Sequence, residues 1–379
     1  MKTNHQSMRE KNTQMLINLL KENGPMSKAA LSRKTNLAAS SVTRLTQELF
    51  DDSILSLVDK EKTESAGRKG DLIYLNVKKS VSLIISFNVD KIIFDVSYLD
   101  GSFREIKIVD YEKTEGFEKV ISNVLDDIFS SNKIGIILLL EPSNLSLRSD
   151  LSLDIMLSLV RKIFFDKFKK EIKIKILDQG ILALIAEMNL SKDLSVDNNI
   201  GYVLINEKVN TGLFLNGQVI KKNGYGYSFG HTTIDIKSKK LCECGNRGCW
   251  ELYAGVNWLL DEYYGDKIKD EEKFQKYIKL LNRANQESKA NELLRKYAYN
   301  IAVGIINMVN SLGLDAVVVG GYIYNVQPWV INEIEQIVLS RSIKDNIRIR
   351  SSKISPAKIC RYGASFHAID LFFDDYLKK

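Results

Sequence analysis

Over the first 80 residues the apolar positions recur at helical spacing and then shift to short strand-like runs. Met15, Leu16, Leu19 and Leu20 form one stripe, which Asn23-Gly24-Pro25 brings to an end. Ser27 is suited to cap a second helix carrying Ala30 and Leu31. Thr35-Asn36-Leu37 makes a short turn. A third helix starts at or near Ser40, with Val42, Leu45, Leu49 and Phe50 inward. Ile54–Val58 and Leu72–Leu75 then read as strands joined by the polar loop Lys60–Gly70. Three helices followed by a hairpin predict a winged helix-turn-helix over residues 1–78.

From Ser80 the texture becomes that of an α/β domain spanning 79–379. Residues 83–89, 91–98 and 104–109 read as successive strands, with Asp100-Gly101 as a hairpin turn. An amphipathic helix over Gly116–Ser130, a buried strand Ile134–Leu140, a helix Ile155–Phe168, a strand Ile172–Leu177 and a helix to Leu190 complete a first lobe, about 79–197. The second lobe, about 198–360, has strands Ile200–Ile205 and Thr211–Leu215 with an Asn216-Gly217 turn. Helices then run to Leu312, the last capped by Ser288, before a strand Ala316–Val319 that ends at Gly320-Gly321. A closing helix, 361–379, returns to the first lobe. No short internal repeat is visible.

Three of the 4 cysteines and one of the 3 histidines fall in one segment, 231–251. His231, Cys242, Cys244 and Cys249 are a complete tetrahedral set for zinc, leaving no open position, so the ion is expected to be structural. The alternative is a group of buried thiols beside a surface histidine. Cys360 reads as core, and His5 and His367 show no partner pattern.

On the third helix, Ser40, Ser41, Thr43, Arg44 and Gln47 face outward, an inventory suited to phosphates and base edges in a major groove. Arg68 and Lys69 stand at the tip of the wing, placed for the minor groove or for phosphate. A small helical domain for protein contact is the competing reading. A net charge of +7 permits a nucleic-acid partner without demonstrating one. No apolar run reaches the ~20 residues of a membrane span, and no signal peptide opens the chain, which predicts a cytoplasmic protein.

The chain resembles the ROK family (repressors, open reading frames and kinases) over nearly its whole length. The resemblance rests on Gly230-His231, Cys242-x-Cys244-Gly-x-x-Gly-Cys249-x-Glu251, Asp100-Gly101, Val317-Val-Val-Gly320-Gly321 and Gly363-Ala364. It implies an actin-like, ribonuclease H-like sugar-kinase fold behind the winged helix. That organisation is the one of the family's xylose-, glucose- and N-acetylglucosamine-responsive repressors.

Departures from the kinase pattern bear on activity. The family's Asp-x-Gly-x-Thr turn is Ser86-Phe87-Asn88-Val89-Asp90 here. At the base position the register gives Gln179, or Asp178 if shifted by one. The glycine-rich phosphate loop is Asn206-Glu207-Lys208-Val209-Asn210-Thr211-Gly212, and Ser228 replaces the glutamate of the sugar motif ahead of His231. A sugar would therefore be held by a modified set, Asn144, Asp178, His231 and Glu251, or the pocket is degenerate and serves dimerisation. The expectation is a non-enzymatic homodimeric or tetrameric repressor of carbohydrate genes. It would bind a palindromic double-stranded operator and answer to a sugar or sugar phosphate. A ROK sugar kinase with an added domain and a ROK-like scaffold are the alternatives.

Overall fold

A computed structural model describes residues 4–60, 71–87, 91–110, 117–131, 134–140, 153–194, 197–221, 226–265 and 268–378. The N-terminal unit comprises α1 (Asn4–Asn23), β1 (Met26–Ser27), α2 (Lys28–Thr35), α3 (Ala39–Asp51), β2 (Leu55–Lys60) and β3 (Asp71–Leu75). Its strands form an antiparallel sheet in the order β1-β3-β2. Ser27 caps α2 through Ala30 N–H at 3.3 Å. Asn36, left-handed at φ 55°, turns the chain into α3, a conformation asparagine tolerates better than most residues. On α3 the buried set is Val42, Leu45, Thr46 and Leu49, one helical stripe. The α1 stripe differs from the expected one: Leu16, Ile17 and Leu20 are buried, while Met15 and Leu19 lie at its margin. The two-residue strand β1 is too short to carry a pattern.

Two five-stranded sheets follow. The first holds β4 (Ser80–Phe87), β5 (Lys91–Tyr98), β6 (Phe103–Asp110), β7 (Ile136–Leu140) and β8 (Lys173–Leu177), with α4 (Phe117–Ser131) and α5 (Leu153–Phe168) between strands. From β8 the chain enters α6 (Gln179–Leu190). The second sheet holds β9 (Asn199–Ile205), β10 (Val209–Leu215), β11 (Gln218–Val219), β12 (Ala316–Gly321) and β13 (Arg348–Ser351). Its helices are α7 (Glu251–Ala254), α8 (Val256–Tyr264), α9 (Asp270–Arg283), α10 (Ser288–Leu312) and α11 (Pro328–Leu339), and α12 (Pro356–Leu377) closes the chain. The spatial orders are β6-β5-β4-β7-β8 and β11-β10-β9-β12-β13, so the second sheet repeats the strand order of the first.

Four apolar layers hold these parts. One joins α4 and α5 to the outer face of the first sheet. Another joins α7–α11 to the outer face of the second and buries Trp250, Tyr277 and Tyr297. Between the sheets lie α6 and α12. Ala364, Ala368 and Phe373 of α12 share a cluster with the first sheet and the N-terminal unit. Ile359 joins Ala183, Leu184 and Ala186 of α6 against the second sheet. The two helices meet so closely at Gly363 that a Cβ there would stand 1.9 Å from the Leu182 carbonyl oxygen.

Three boundaries differ from expectation. The closing helix begins at Pro356, ahead of Arg361, because proline suits the first helical turn. Glu287, not Ser288, occupies the cap position of α10, and the Ser288 hydroxyl bonds Glu292 at 2.9 Å instead. The edge strand β13 was not anticipated.

Candidate metal centre and nucleic-acid interface

The loop that carries the metal donors is tied down at both ends. Thr211 Oγ1 donates to Tyr227 O at 2.5 Å, and Phe229–His231 form a single helical turn. Thr233 pairs with Cys249, and Trp250 N–H donates to Thr232 O at 2.8 Å. Cys242 accepts Gly245 N–H at its carbonyl and donates its own N–H to Asn246 O. Gly248, at φ 69°, packs so tightly that a Cβ would come within 2.0 Å of Asp235 O. The fold thus brings His231 and three cysteines together.

Their ligand atoms all lie within 4.8 Å of one another. Cys244 Sγ and Cys249 Sγ are 3.6 Å apart, and Cys242 Sγ lies 3.5 Å from His231 Nδ1. A tetrahedral site with metal–sulfur bonds of ~2.3 Å has sulfur–sulfur edges of ~3.8 Å, so these four atoms are close enough to converge on one metal ion. Burial raises the pKa of the Cys242 and Cys249 thiols, Cys242 further through its hydrogen bond to Glu251. A hydrogen bond from Asn246 N–H lowers that of Cys244. A thiol ligates a metal as thiolate, so a cation bound here would have to offset the burial that raises these two pKa values.

Glu251 opens α7 beside this cluster. Its Oε1 accepts from Cys242 Sγ at 2.9 Å and lies 3.3 Å from His231 Nδ1. Asp178 lies at the C-terminal end of β8, as the cap of α6, where its carboxylate accepts from Ile181 N–H at 3.1 Å. Burial raises its pKa against those backbone donors. Gly226 closes over it, 3.5 Å from Oδ1 by its ideal Cβ position. The structure therefore pairs His231 with Glu251 and sets Asp178 on the other lobe; no hydrogen bond among the described residues joins it to either. Asn144 lies outside the described residues. Asp178 stands at the strand–helix junction as the cap, and Gln179 begins the helix.

The turn between β9 and β10 is filled by its own side chains. Asn206 O accepts the N–H of Val256 at 2.9 Å, at the start of α8. Asn206 Oδ1 stands 2.7 Å from where a Cβ on Gly321 would be. Glu207 Oε1 accepts from Tyr322 OH at 3.3 Å, and Lys208 pairs with Glu243 at 2.6 Å. A carboxylate and an amide thus crowd the Gly320-Gly321 turn. The Tyr322 contact was not visible in sequence, because its partner is more than a hundred residues away.

On α3, Ser40, Thr43, Arg44 and Gln47 are exposed and Ser41 is half-buried. Thr43 bonds back to Ala39 O at 2.8 Å, and Gln47 bonds Asp51 at 2.9 Å. Glu48 is claimed by Arg9 of α1 through two bonds, 3.0 and 2.8 Å, which leaves Arg44 only a 4.0 Å approach to it. Arg33 and Lys34, exposed in the last turn of α2, extend the positive surface; their adjacency in sequence was the signal for them. Arg68 and Lys69 lie outside the described residues. None of the described helices is long and apolar enough to cross a membrane.

A family model described as ROK family matches residues 166–367. The xylose repressor of Bacillus subtilis (strain 168) is 25% identical over 352 residues, covering 87% of each chain. The crystal structure of a ROK family transcriptional regulator, a homologue of the E. coli MLC protein, superposes with a TM-score of 0.74 at 17% identity and covers 98% of each chain. A ROK hexokinase from Thermus thermophilus superposes with a TM-score of 0.57 at 19% identity, covering 75% of this chain and 96% of its own.

Proposed function

Because the chain belongs to the ROK family, we propose that it is a DNA-binding transcriptional repressor of carbohydrate genes whose ROK domain answers to a sugar. Coverage carries this reading. The likeness to a xylose repressor and to a ROK regulator extends over most or all of the chain. A nearly whole ROK hexokinase leaves a quarter of it unmatched, about the share ahead of Ser80.

In this reading residues 1–78 are a winged helix-turn-helix and 79–379 the ROK domain. The α3 face enters the major groove, with Arg44, Ser40, Ser41, Thr43 and Gln47 toward base edges and phosphates. Arg68 and Lys69 contact the groove or backbone from the wing. His231, Cys242, Cys244 and Cys249 hold one structural zinc, whose chemistry is to fix the loop, since four protein ligands complete its coordination. Fixed in this way, His231 presents an Nε2 proton and Glu251 an acceptor to sugar hydroxyls, with Asp178 and Asn144 opposite. Two copies would place their α3 helices on the halves of a palindromic operator.

The crowded Asn206–Lys208 turn argues against phosphoryl transfer, because backbone amides must approach the phosphates closely. A sugar kinase is the second reading, favoured by the retained Asp178 carboxylate; ADP release from ATP across a panel of pentoses and hexoses would establish it. The decisive test of the repressor is selection of bound fragments from sheared genomic DNA at near-physiological salt. An enriched inverted repeat, released by one sugar of the panel, is expected. Recovery of unspecific DNA alone would refute the reading.

A further inference from the structure

The far end of α3 is anchored outside its own unit. The helix is followed by its cap residue Asp52, where Tyr376 OH, from the last turn of α12, donates to Oδ2 at 2.6 Å. Lys79 Nζ, from the short β3–β4 connection, donates to Asp52 O at 2.5 Å and stands 5.7 Å above the Phe372 ring of α12. Lys21 of α1 meets Asp370 of α12 at 2.9 Å. Since Arg9 and Glu48 brace α1 against α3, the N-terminal unit is held to α12 as one body.

The contacts are of two kinds. At depth, Leu16, Leu20 and Leu49 share one apolar cluster with Ala368, Ile369 and Phe373. At the rim, a crevice of about 370 Å³ opens between the elements, lined by Arg9, Glu48, Asp52, Lys79, Phe372 and Tyr376 among others. The deep contact is apolar packing. Across the open rim, polar bonds rather than close packing join the elements. The other end of α12 is equally committed: Arg361 grips the buried Asp95 and the exposed Glu105, and Gly363 lies on the backbone of α6, whose cap is Asp178. One helix of 22 residues, about 33 Å long, therefore runs from the first sheet and α6 to the end of α3.

We propose that Tyr376 is a positioning residue for operator binding. Through Asp52 it sets the angle of α3 on the ROK domain, and hence the separation of the two α3 helices in a dimer. The proposal rests on the DNA-binding reading given above. Two recognition helices must match half-sites one helical turn apart, ~34 Å, so a small change of angle costs affinity on a complete operator and none on a single half-site.

The test uses full-length protein and Tyr376→Phe, which removes only the hydroxyl, with Tyr376→Ala as the larger change. Affinity is measured on duplexes carrying one half-site, and on complete operators whose spacer is lengthened or shortened by single base pairs. Half-site affinity within twofold of wild type is expected, with roughly tenfold weaker binding to the complete operator and a broadened spacer preference. Equal losses on both duplexes would assign Tyr376 a purely structural role and overturn the proposal, as would unchanged operator affinity and spacer preference. If the wild-type protein itself binds no operator, the DNA-binding reading falls first and takes the proposal with it.

Discussion

The two five-stranded sheets share one strand order and differ in what their connections carry. Each places its first three strands as an antiparallel meander and adds two parallel strands beside the first. After the meander of the first sheet comes α4, an ordinary amphipathic cover. After that of the second come the loop with four metal donors and then Glu251 at the start of α7. In the first lobe, Asp178 at the β8–α6 junction is spent on capping a helix, and the buried Asp95 and Glu187 are held by Arg361 and Arg350. A common plan thus supplies positions at strand ends, and the connections decide which of them become sites.

That contrast is broken most directly at the metal loop. Cys249 is fully buried, and its loss leaves three donors and an uncompensated cluster. Cys249→Ala is expected to purify without metal and to lose more than about 4 kcal/mol of unfolding free energy, because metal binding is folding free energy in such loops. Metal content and denaturant unfolding check this together. Full metal occupancy with wild-type stability would show that the second lobe is no more cross-linked than the first.

The joint between the sheets comes next. Gly363→Ala drives a methyl into the Leu182 carbonyl, which is backbone and cannot rotate away. A loss of roughly 3 kcal/mol is expected from such overpacking, read by the same unfolding measurement. An unperturbed Gly363→Ala variant would mean that α6 and α12 slide freely, and the two lobes would then be uncoupled rather than hinged on a fixed pair.

A smaller effect, confined to acid, is expected at His367. This α12 side chain is 8% exposed. Burial, with Lys221, Lys175 and Lys173 nearby and Asp370 opposing them, lowers its pKa to about 4. The folded value lies below the unfolded one of ~6.5, so the unfolded state binds the extra proton. Stability from the neutral ring is complete above about 6.5 and is lost as pH falls toward 4. The wild type should lose up to about 3 kcal/mol more than His367→Gln across that window. Parallel pH profiles for the two proteins would remove His367 from the acid response of the joint.

Much of this was legible in the sequence where the determinants are local. Four candidate metal donors confined to residues 231–249 and the outward face of α3 needed no tertiary information. The repeated strand order was invisible, because it resides in pairing and not in similar residues. The four residues of β13, Arg348-Ile349-Arg350-Ser351, carry one apolar side chain and acquire meaning only beside β12. Ser288 looked like a better cap than Glu287, yet the chain turns one residue earlier and the hydroxyl finds Glu292. The contacts of Tyr376 and Arg361 span more than two hundred residues, beyond any spacing rule.

The smallest expected effect on stability is at Asp178, and it sharpens the comparison most. Burial raises this carboxyl's pKa above its ordinary value, so the folded state holds its proton to higher pH than the unfolded state does. Stability therefore falls as pH rises through that interval, and at neutral pH the ionised group is a cost that its capping bonds offset. Asn caps as well as Asp without the buried charge. Asp178→Asn should thus be unchanged or more stable by up to about 1 kcal/mol, while Asp178→Ala should lose about 1 kcal/mol with the cap. Neither variant should alter metal content or operator affinity in the absence of sugar, and both should lose the sugar response. Retained sugar response in both variants would mean that the first lobe contributes only structure, leaving His231 and Glu251 of the second lobe to bear the recognition.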